Sequence, residues 1–364
     1  MSVRAHGPLG VLLLNVGTPD APEARAVRRY LREFLSDPRV VDLPALLRWP
    51  LVHLVILPTR PRTSAEAYRK IWTDEGSPLL VHSRALLEGL RARLGNGYAV
   101  DLGMRYGQPS IDGALGRLSQ ARAERLILVP LFPQLASATT GTALEAVYRR
   151  VASLVNVPSV AVVPPFFDDV GFLDAFAQAG RDAMASFQPD HVLFSFHGLP
   201  ERQVRKSDES GARCLATSAC CAALDGENRD CYRAHCFFTG RQLAERLGLS
   251  EDAWSLSFQS RLGRTPWIQP HTDATLATLG RRGTKRVLVF CPAFVADCVE
   301  TLEEVALRGR DQFRAAGGEA LELVPSLNAR PSWVEALARL IERTAPRSPE
   351  AVPISVGSRA SPGD

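Results

Sequence analysis

The sequence predicts an α/β protein built from two similar parallel sheets, each flanked by helices. Short apolar runs of strand length alternate with helical patterns, which is typical of parallel sheets wound with helices. The ten residues Gly10–Pro19 also align without a gap with His191–Pro200. A second matched pair, Arg125–Phe132 and Arg286–Phe294, likewise carries a strand that runs into a proline, which ends a strand ladder. The predicted strands are Gly10–Val16, Tyr98–Met104, Arg125–Phe132, Val157–Pro164, His191–His197, Trp254–Gln259, Arg286–Cys291 and Ala320–Pro325.

The length of 364 residues favours two domains. The matched motifs place the first domain at residues 8–165 and the second at 166–330, facing each other across a cleft. Residues 345–364 are dense in Pro, Ser and Gly and are predicted to form a disordered tail.

Composition excludes some function classes. The chain is 46% hydrophobic and 23% charged, with a net charge of +4 spread along its length. No basic stripe stands out, so we expect no nucleic-acid partner. Residues 1–16 are apolar but lead into Gly17-Thr-Pro without a small-residue cleavage site, so they predict a first strand and a cytoplasmic protein. In that reducing compartment the seven cysteines would be free, catalytic or metal-bound.

Residues 43–58 form an apolar segment rich in Leu and Val and containing Trp49. Arg48, His53 and prolines interrupt it, and it is shorter than the ~20 residues that a membrane-spanning helix needs. We therefore do not expect it to cross a bilayer. Two interpretations remain: a buried helical hairpin, or an apolar lip over a large hydrophobic ligand or on a membrane surface.

His197 and Glu300 are the first candidates for chemistry. His197 ends an apolar strand and is followed by a Gly-x-Pro turn, which places it at the sheet edge where ligands bind in α/β folds. A second strand runs into a predicted helix whose first residues include Asp297 and Glu300, with Glu304 four residues later on the same face.

Capping would account for Asp297 and Glu300 but not for Glu304. Two carboxylates on one helix face repel each other unless a cation or a proton is shared between them. The pattern therefore indicates a site that binds a metal ion or transfers protons.

Five of the seven cysteines lie in a polar insertion at residues 207–238, here called the cysteine segment. Their spacing is C-x5-C-C-x9-C-x4-C, and such density in a cytosolic protein indicates a soft metal centre. Zinc and a [2Fe–2S] cluster both suit four thiolates, and the spacing matches neither ferredoxin pattern. The alternative is a loop of unrelated thiols. We expect the adjacent Cys220 and Cys221 to point apart, so that one of them would join the other three as a ligand. The five cysteines are Cys214, Cys220, Cys221, Cys231 and Cys236.

Taken together, these motifs resemble the ferrochelatase family, whose members insert Fe²⁺ into a porphyrin to make haem. The likeness runs from about Gly10 to Ile341. The chain departs from the family at Val16, where some members have Met or Tyr, and at Cys298, where others have His. The motifs that carry the resemblance are Leu14–Pro19, Phe34–Asp42, Gly76–Pro78, Met104–Gly107, Ser195–Pro200, Phe258–Gly263 with Pro266-Trp267, and Phe294–Glu304.

The resemblance implies two Rossmann-like, chelatase-type domains enclosing a porphyrin cleft, with helix 331–344 returning to the first domain. It also implies that His197 and Glu300 are the catalytic pair and contact the substrate iron. Around them it places six substrate-binding residues of the polar shell, the aromatic lining and the porphyrin side: Asp297, Glu304, Trp267, Phe294, Arg105 and Tyr106.

The implied reaction is insertion of Fe²⁺ into protoporphyrin IX with release of two protons. The alternatives are coproporphyrin III as substrate, another metal and tetrapyrrole pair such as cobalt with a related ring, or a carrier of haem or metal without turnover. Because cluster-bearing members exist, the resemblance favours [2Fe–2S] over zinc in the cysteine segment. The 43–58 lip matches the family's apolar rim and allows peripheral contact with the inner face of the membrane.

Overall fold

The structure is a computed structural model that describes residues 7–217, 219–261, 263 and 265–345. Within these residues the chain forms two four-stranded sheets in which every neighbouring pair of strands is parallel. All of the strands predicted from the sequence are present, with ends that differ by a few residues. They are β1 Leu9–Thr18, β2 Tyr98–Gly107, β3 Arg125–Pro130, β4 Ser159–Val162, β5 His191–His197, β6 Trp254–Gln259, β7 Arg286–Phe290 and β8 Ala320–Leu323.

The two sheets repeat one plan. Their strand orders are β2-β1-β3-β4 and β6-β5-β7-β8, so β1 and β5 occupy equivalent central places. The fold predicted from the internal match is therefore confirmed at the level of topology. In the second sheet the register pairs His197 with Gln259, so both residues lie at the carboxyl edge.

Helices lie between and around the sheets. In the described part of the chain, three helical segments are π-helices: Leu51–Ile56, Ser137–Gly141 and Glu300–Gly309. The α-helices are α1 Ala24–Ser36, α2 Ala45–Pro50, α3 Leu57–Ile71, α4 Pro78–Leu94, α5 Ile111–Gln120, α6 Thr142–Ala152, α7 Val170–Phe187, α8 Glu201–Arg205, α9 Tyr232–Arg246, α10 Thr272–Arg281, α11 Arg310–Ala315 and α12 Pro331–Thr344.

The central strands are apolar on both faces because helices cover both sides of a parallel sheet. In β1, Val11 to Leu14 are fully buried, and in β5 so are Leu193, Phe194 and Phe196. One hydrophobic cluster includes residues of both sheets together with α4, α7 and α12. The two sheets therefore share a core.

Helix α12 packs against α4 from the first half of the chain and α7 from the second. Its Trp333 is fully buried, with its ring centroid 5.5 Å from that of Phe166 and 5.9 Å from that of Phe172. The predicted domain boundaries stay predictions. Apart from residue 345, the predicted disordered tail lies outside the described residues.

The 43–58 segment folds as α2 followed by the Leu51–Ile56 π-helix. Several of its apolar side chains are exposed, with Leu46 at 89% and Trp49 at 59%, while Val52 and Leu57 are buried in the core. Leu47, Leu54 and Val55 are exposed as well, so the interpretation as a buried hairpin is wrong. Across the described part of the chain, no helix combines the length and the apolar character needed to span a membrane.

Candidate active site

His197 lies at the carboxyl end of β5 with its side chain partly buried. Its Nδ1 is 2.6 Å from the carbonyl oxygen of Gly198. A carbonyl only accepts hydrogen bonds, so in the neutral ring Nδ1 carries the proton and Nε2 keeps a free lone pair. The imidazole centroid is 6.2 Å from that of Phe294, which forms one wall beside it.

Gln259 connects the His197 strand end with the start of the Glu300–Gly309 π-helix. Its backbone carbonyl accepts a hydrogen bond from the Gly198 N–H at 2.7 Å. Its side-chain Nε2 donates to the Glu300 carbonyl at 2.8 Å, and its Oε1 accepts from Ser195 Oγ at 2.7 Å. Because Gln259 is buried and bonded on all these sides, it fixes the two candidate catalytic residues relative to one another.

The carboxylate of Glu300 is directed toward the first half of the chain. The Cys298 thiol shares a hydrogen bond with it, and the pKa of Cys298 is raised by burial and by the Glu300 charge. Burial raises the pKa of Tyr30 and of Tyr68, and the charge of Glu300 adds to both shifts. Tyr30 belongs to α1 and Tyr68 to α3, so Glu300 lies at the junction of the two halves.

Two further contacts hold this junction. Glu303, which is almost buried, forms an ion pair with Lys70 of α3, with Nζ 3.0 Å from Oε1. Cys298 packs in a small apolar cluster with Leu79 and Val16 from the first half. The π-helix is therefore anchored to both halves of the molecule.

Glu304 accepts hydrogen bonds from Ser260, at 2.8 Å from its backbone N–H and 2.6 Å from its hydroxyl. Burial is the main cause of a raised pKa for Glu304, and the nearby charge of Glu300 raises it further. The charge of His197 acts in the opposite direction. These three groups therefore interact electrostatically, as the spacing of the two carboxylates predicted.

Asp297 precedes the π-helix and is buried. Its carboxylate accepts hydrogen bonds from Thr301 Oγ1 at 3.0 Å, Asn328 Nδ2 at 2.8 Å and the Ser326 N–H at 3.2 Å. These contacts tie the start of the π-helix to the loop after β8. Substrate binding by Asp297 stays a prediction.

Trp267 and Phe294 flank His197. Trp267 forms an isolated bridge with Pro200, and a Cβ on Gly198 would lie 3.2 Å from Trp267 Cε3. Phe294 packs in the same small cluster as Cys298. Both aromatic residues therefore lie beside the His197 motif, where the family resemblance places the aromatic lining of the site.

Arg105 and Tyr106 form a polar group with Asp37. Arg105 Nη2 and the Tyr106 hydroxyl donate to Asp37 Oδ2 at 2.7 Å and 2.9 Å, and Arg105 Nε donates to Thr142 Oγ1 at 2.7 Å. Tyr106 is buried, and burial raises its pKa. The structure therefore joins these two residues to α1 and α6, and their contact with substrate stays a prediction.

Two cavities accompany these groups. One of about 550 Å³ is lined by Arg105 together with residues of α5 and α6, away from His197. The other, of about 160 Å³, is lined by Gln259, Ser260 and Glu304 and reaches the charged Arg308. Of the two, only the smaller adjoins the carboxylates of the π-helix.

Thiols of the cysteine segment lie in contact. The Cys231 side chain contacts the thiols of Cys214 and Cys221, and hydrogen bonds from both lower the pKa of Cys231. The adjacent Cys220 and Cys221 do not point apart as predicted, because their Sγ atoms are 3.6 Å from each other. Cys236 is fully buried in α9. In the described residues, no three or more His, Cys, Asp or Glu side chains form a group that would hold a metal ion.

Two residues of this region were missed from the sequence. Gln259 carried a usable signal, because it ends a predicted strand and such ends meet at one sheet edge. Tyr232 carried none: its hydroxyl donates to the His197 carbonyl at 2.7 Å, and only the folded position of α9 brings it there.

Comparisons with known proteins agree over nearly the whole chain. The family model described as Ferrochelatase matches residues 8–345. A ferrochelatase of Coxiella burnetii is 46% identical over 344 residues, 94% of this chain and 96% of that protein. Ferrochelatases of Azotobacter vinelandii and Pseudomonas aeruginosa are 51% and 49% identical, covering 91% and 92% of this chain and 97% and 98% of theirs.

Solved structures show the same fold. SirB from Bacillus subtilis, solved with Fe³⁺, superposes with a TM-score of 0.52 at 13% identity, covering 93% of this chain and 96% of that one. The matched family model spans both sheets and the His197, Gln259 and Glu300 motifs that the structure brings together. The chain therefore belongs to the ferrochelatase family, a family of metal-chelatase lyases that insert iron into porphyrins for haem synthesis.

Proposed function

We propose that this protein inserts Fe²⁺ into protoporphyrin IX, releasing two protons and forming protohaem. The observation that carries the proposal is the Gln259 connection, which holds a histidine and the carboxylate-bearing π-helix at one sheet edge. Membership of the ferrochelatase family supports the reaction class. Protoporphyrin as the particular ring is our inference from the resemblance.

In the proposed reaction His197 accepts the pyrrole protons. Two N–H protons must leave the ring as Fe²⁺ enters, and no oxidation state changes. The Nδ1 contact with Gly198 leaves Nε2 as the acceptor, and imidazole is a common general base in proton transfer. Trp267 and Phe294 supply apolar surface beside it, where a distorted macrocycle would be held.

The carboxylates would guide iron and relay protons. Imidazole nitrogen and carboxylate oxygen both bind Fe²⁺, and they hold it less tightly than thiolates do. Because burial raises the pKa of Glu304, its carboxyl group is suited to carry a proton. Glu300, at the junction of the halves, is the better placed to contact incoming metal together with His197.

The test is anaerobic incubation with Fe²⁺ and protoporphyrin IX while the haem absorption spectrum is followed. Parallel reactions with coproporphyrin III, and with Co²⁺ in place of Fe²⁺, distinguish the alternative substrates. We expect His197→Ala to lose nearly all insertion while it still binds porphyrin, as measured by fluorescence quenching. The matched control is His191→Ala at the opposite end of β5, where Nε2 contacts Ser255, and it should stay active. Full activity of His197→Ala would refute the proposed role, and porphyrin binding without turnover by the wild type would indicate a carrier.

We also propose that the cysteine segment holds a [2Fe–2S] cluster. Support comes from the contacts of Cys214 and Cys221 with Cys231, whose pKa hydrogen bonds from both thiols lower. The fourth ligand would be Cys220 or Cys236. Because the described side chains do not form a group arranged to hold a metal, the thiols would have to close around it, which would cross-link the segment.

The visible spectrum of anaerobically purified protein, with iron, sulfide and zinc analysis, tests the cluster. We expect a brown protein that bleaches in Cys214→Ala, Cys221→Ala and Cys231→Ala, and in either Cys220→Ala or Cys236→Ala. Cys291→Ala is the control, since this buried cysteine lies in the core of the second sheet. Colourless protein with stoichiometric zinc would replace the cluster with a zinc site, and protein without either metal would leave only free thiols.

The third proposal is that the 43–58 lip rests on a membrane surface. Its exposed Leu46, Leu47, Trp49 and Leu54 form an apolar patch of the kind that inserts into the interfacial region of a bilayer. We expect the protein to co-sediment with phospholipid vesicles and Leu46→Ser with Trp49→Ser to abolish this. Val155→Ser, at a fully exposed valine elsewhere, is the control. Equal sedimentation of all three proteins would contradict a role for the lip.

A further inference from the structure

The peptide unit between His197 and Gly198 is held at both ends. The His197 carbonyl accepts from the Tyr232 hydroxyl at 2.7 Å, and the Gly198 N–H donates to the Gln259 carbonyl at 2.7 Å. A Cβ on Gly198 would meet that carbonyl oxygen at 2.8 Å, which shows how closely the unit is packed. The plane of this peptide is therefore fixed by one hydrogen bond on each side.

The His197 ring depends on this backbone. The held peptide unit ends at the Cα of His197, which carries the ring, and at the Cα of Gly198, whose carbonyl contacts the ring Nδ1. A rotation of the unit would therefore displace both the ring and the carbonyl that orients it, and would move Nε2. Proton transfer needs a positioned lone pair, and misplacement by about 1 Å costs on the order of 100-fold in rate. Tyr232 thus acts on the ring indirectly, through the backbone.

Tyr232 also belongs to the cysteine segment. It is the first residue of α9, and Cys231, whose side chain contacts Cys214 and Cys221, occupies the N-cap. The Tyr232 hydroxyl shares a further hydrogen bond with the buried Cys236 thiol. A change in the arrangement of the thiols would therefore move the hydroxyl that holds the His197 carbonyl.

We propose that Tyr232 is a positioning residue for His197 and that it transmits the arrangement of the cysteine segment to the active site. The proposal rests on the proposed function, in which His197 accepts the pyrrole protons. It needs no ligand in the cysteine segment, since the contacts exist among the protein's own side chains.

Tyr232→Phe tests the positioning role because it keeps the buried ring and removes only the hydroxyl. We expect kcat for metal insertion to fall about tenfold while KM for porphyrin changes by less than about twofold, the signature of an interaction that acts in the transition state. The matched control is Tyr148→Phe, a half-exposed tyrosine on α6, which should keep wild-type kcat. Far-UV circular dichroism verifies that both variants fold.

A second readout separates positioning from loss of stability. The protein has seven histidines, and ¹⁵N-histidine labelling followed by comparison with His197→Ala identifies the His197 ring resonances. At fixed pH these resonances should shift in Tyr232→Phe and stay unchanged in Tyr148→Phe. Unchanged resonances, or a kcat within twofold of wild type, would overturn the proposal. If His197→Ala itself stays active, the proposed function fails instead.

Transmission from the cysteine segment is tested by a double-mutant cycle. Cys231→Ser should shift the His197 resonances in the wild-type background and have no further effect in Tyr232→Phe, since coupled residues act non-additively. Equal shifts in both backgrounds would show that Tyr232 does not transmit the change. Absence of a shift in either background would show that the thiols and the histidine are not connected.

Discussion

Asp37 is a buried carboxylate that joins three parts of the first half of the chain. It follows α1 and accepts hydrogen bonds from Tyr106 and Arg105 of β2 and from Thr142 at the start of α6. We expect Asp37→Asn to lower the free energy of unfolding by about 3–5 kcal/mol, because it removes one partner of a buried ion pair. Urea denaturation measures this, with the exposed Asp74→Asn as a control that should change stability by less than about 0.5 kcal/mol.

The same residue predicts a pH dependence. Burial alone would raise the pKa of Asp37, but hydrogen bonds from Thr142, the Arg39 N–H and Tyr106, with the charge of Arg105, outweigh it and lower the pKa. A lowered pKa means that the contribution to stability is present above the ordinary value of about 3.9 and is lost as pH falls through the lowered value. The difference between wild type and Asp37→Asn should therefore shrink in acid. A constant difference down to pH 2 would contradict this.

At the residue scale the sequence predicted the neighbourhood of His197 well. A strand-end histidine and a carboxylate pair need only local motifs and the rule that ligands bind at strand ends, whereas the two aromatic residues were implied by the family resemblance. Tyr232 could not be predicted, since its contact with His197 depends on where α9 packs. The family resemblance named Arg105 as a site residue. It did not indicate that the Arg105 side chain binds Asp37, because Asp37 is 68 residues away in the sequence.

Helix α7 lies against the second sheet with almost no space between them. A Cβ on Gly180 would meet Phe290 Cζ at 2.4 Å and Cε1 at 2.7 Å. Gly180→Ala should therefore destabilise the protein by about 1–3 kcal/mol through overpacking, although alanine favours helices. Gly116→Ala in α5 is the matched control, because nothing lies within 4 Å of its Cβ. It should raise the free energy of unfolding by roughly 0.5–1 kcal/mol, and equal effects at the two sites would contradict the packing argument.

At the element scale the strands were predictable and the π-helices were not. Runs of Leu, Val and Phe indicate strands buried on both faces, and their ends were correct within a few residues. An α-helix and a π-helix differ only in which carbonyl each N–H reaches, so the sequence periodicity of Glu300–Gly309 did not distinguish them. The exposed face of 43–58 was one of two open interpretations, because an apolar segment does not reveal what covers it.

At the scale of the whole molecule, α12 connects the two halves. We expect Trp333→Ala to cost about 3–5 kcal/mol, since it empties a fully buried site between Phe166 and Phe172. Because one hydrophobic cluster contains residues of both sheets, we also expect a single unfolding transition. Urea curves from circular dichroism and fluorescence should coincide, and two separate transitions would show that the halves unfold independently.

The repeated topology was predictable from ten aligned residues, because two copies of one strand and turn are expected to occupy equivalent places in their sheets. The meeting of the halves was not predictable in detail. It depends on contacts such as Lys70 with Glu303, which are 233 residues apart and show no pattern in the sequence.

The Glu300–Gly309 π-helix has a consequence for how the protein tolerates change. Such a wide turn is uncommon, and deletion of a single residue after Glu304 would let the stretch relax to the ordinary 3.6-residue repeat. The shortened chain would gain a more regular backbone, yet the glutamates would turn away from their contacts with Cys298, Lys70 and Ser260. Selection for thermostable variants of this protein would therefore tend to favour changes in the Glu300–Gly309 segment that impair the proposed metal insertion.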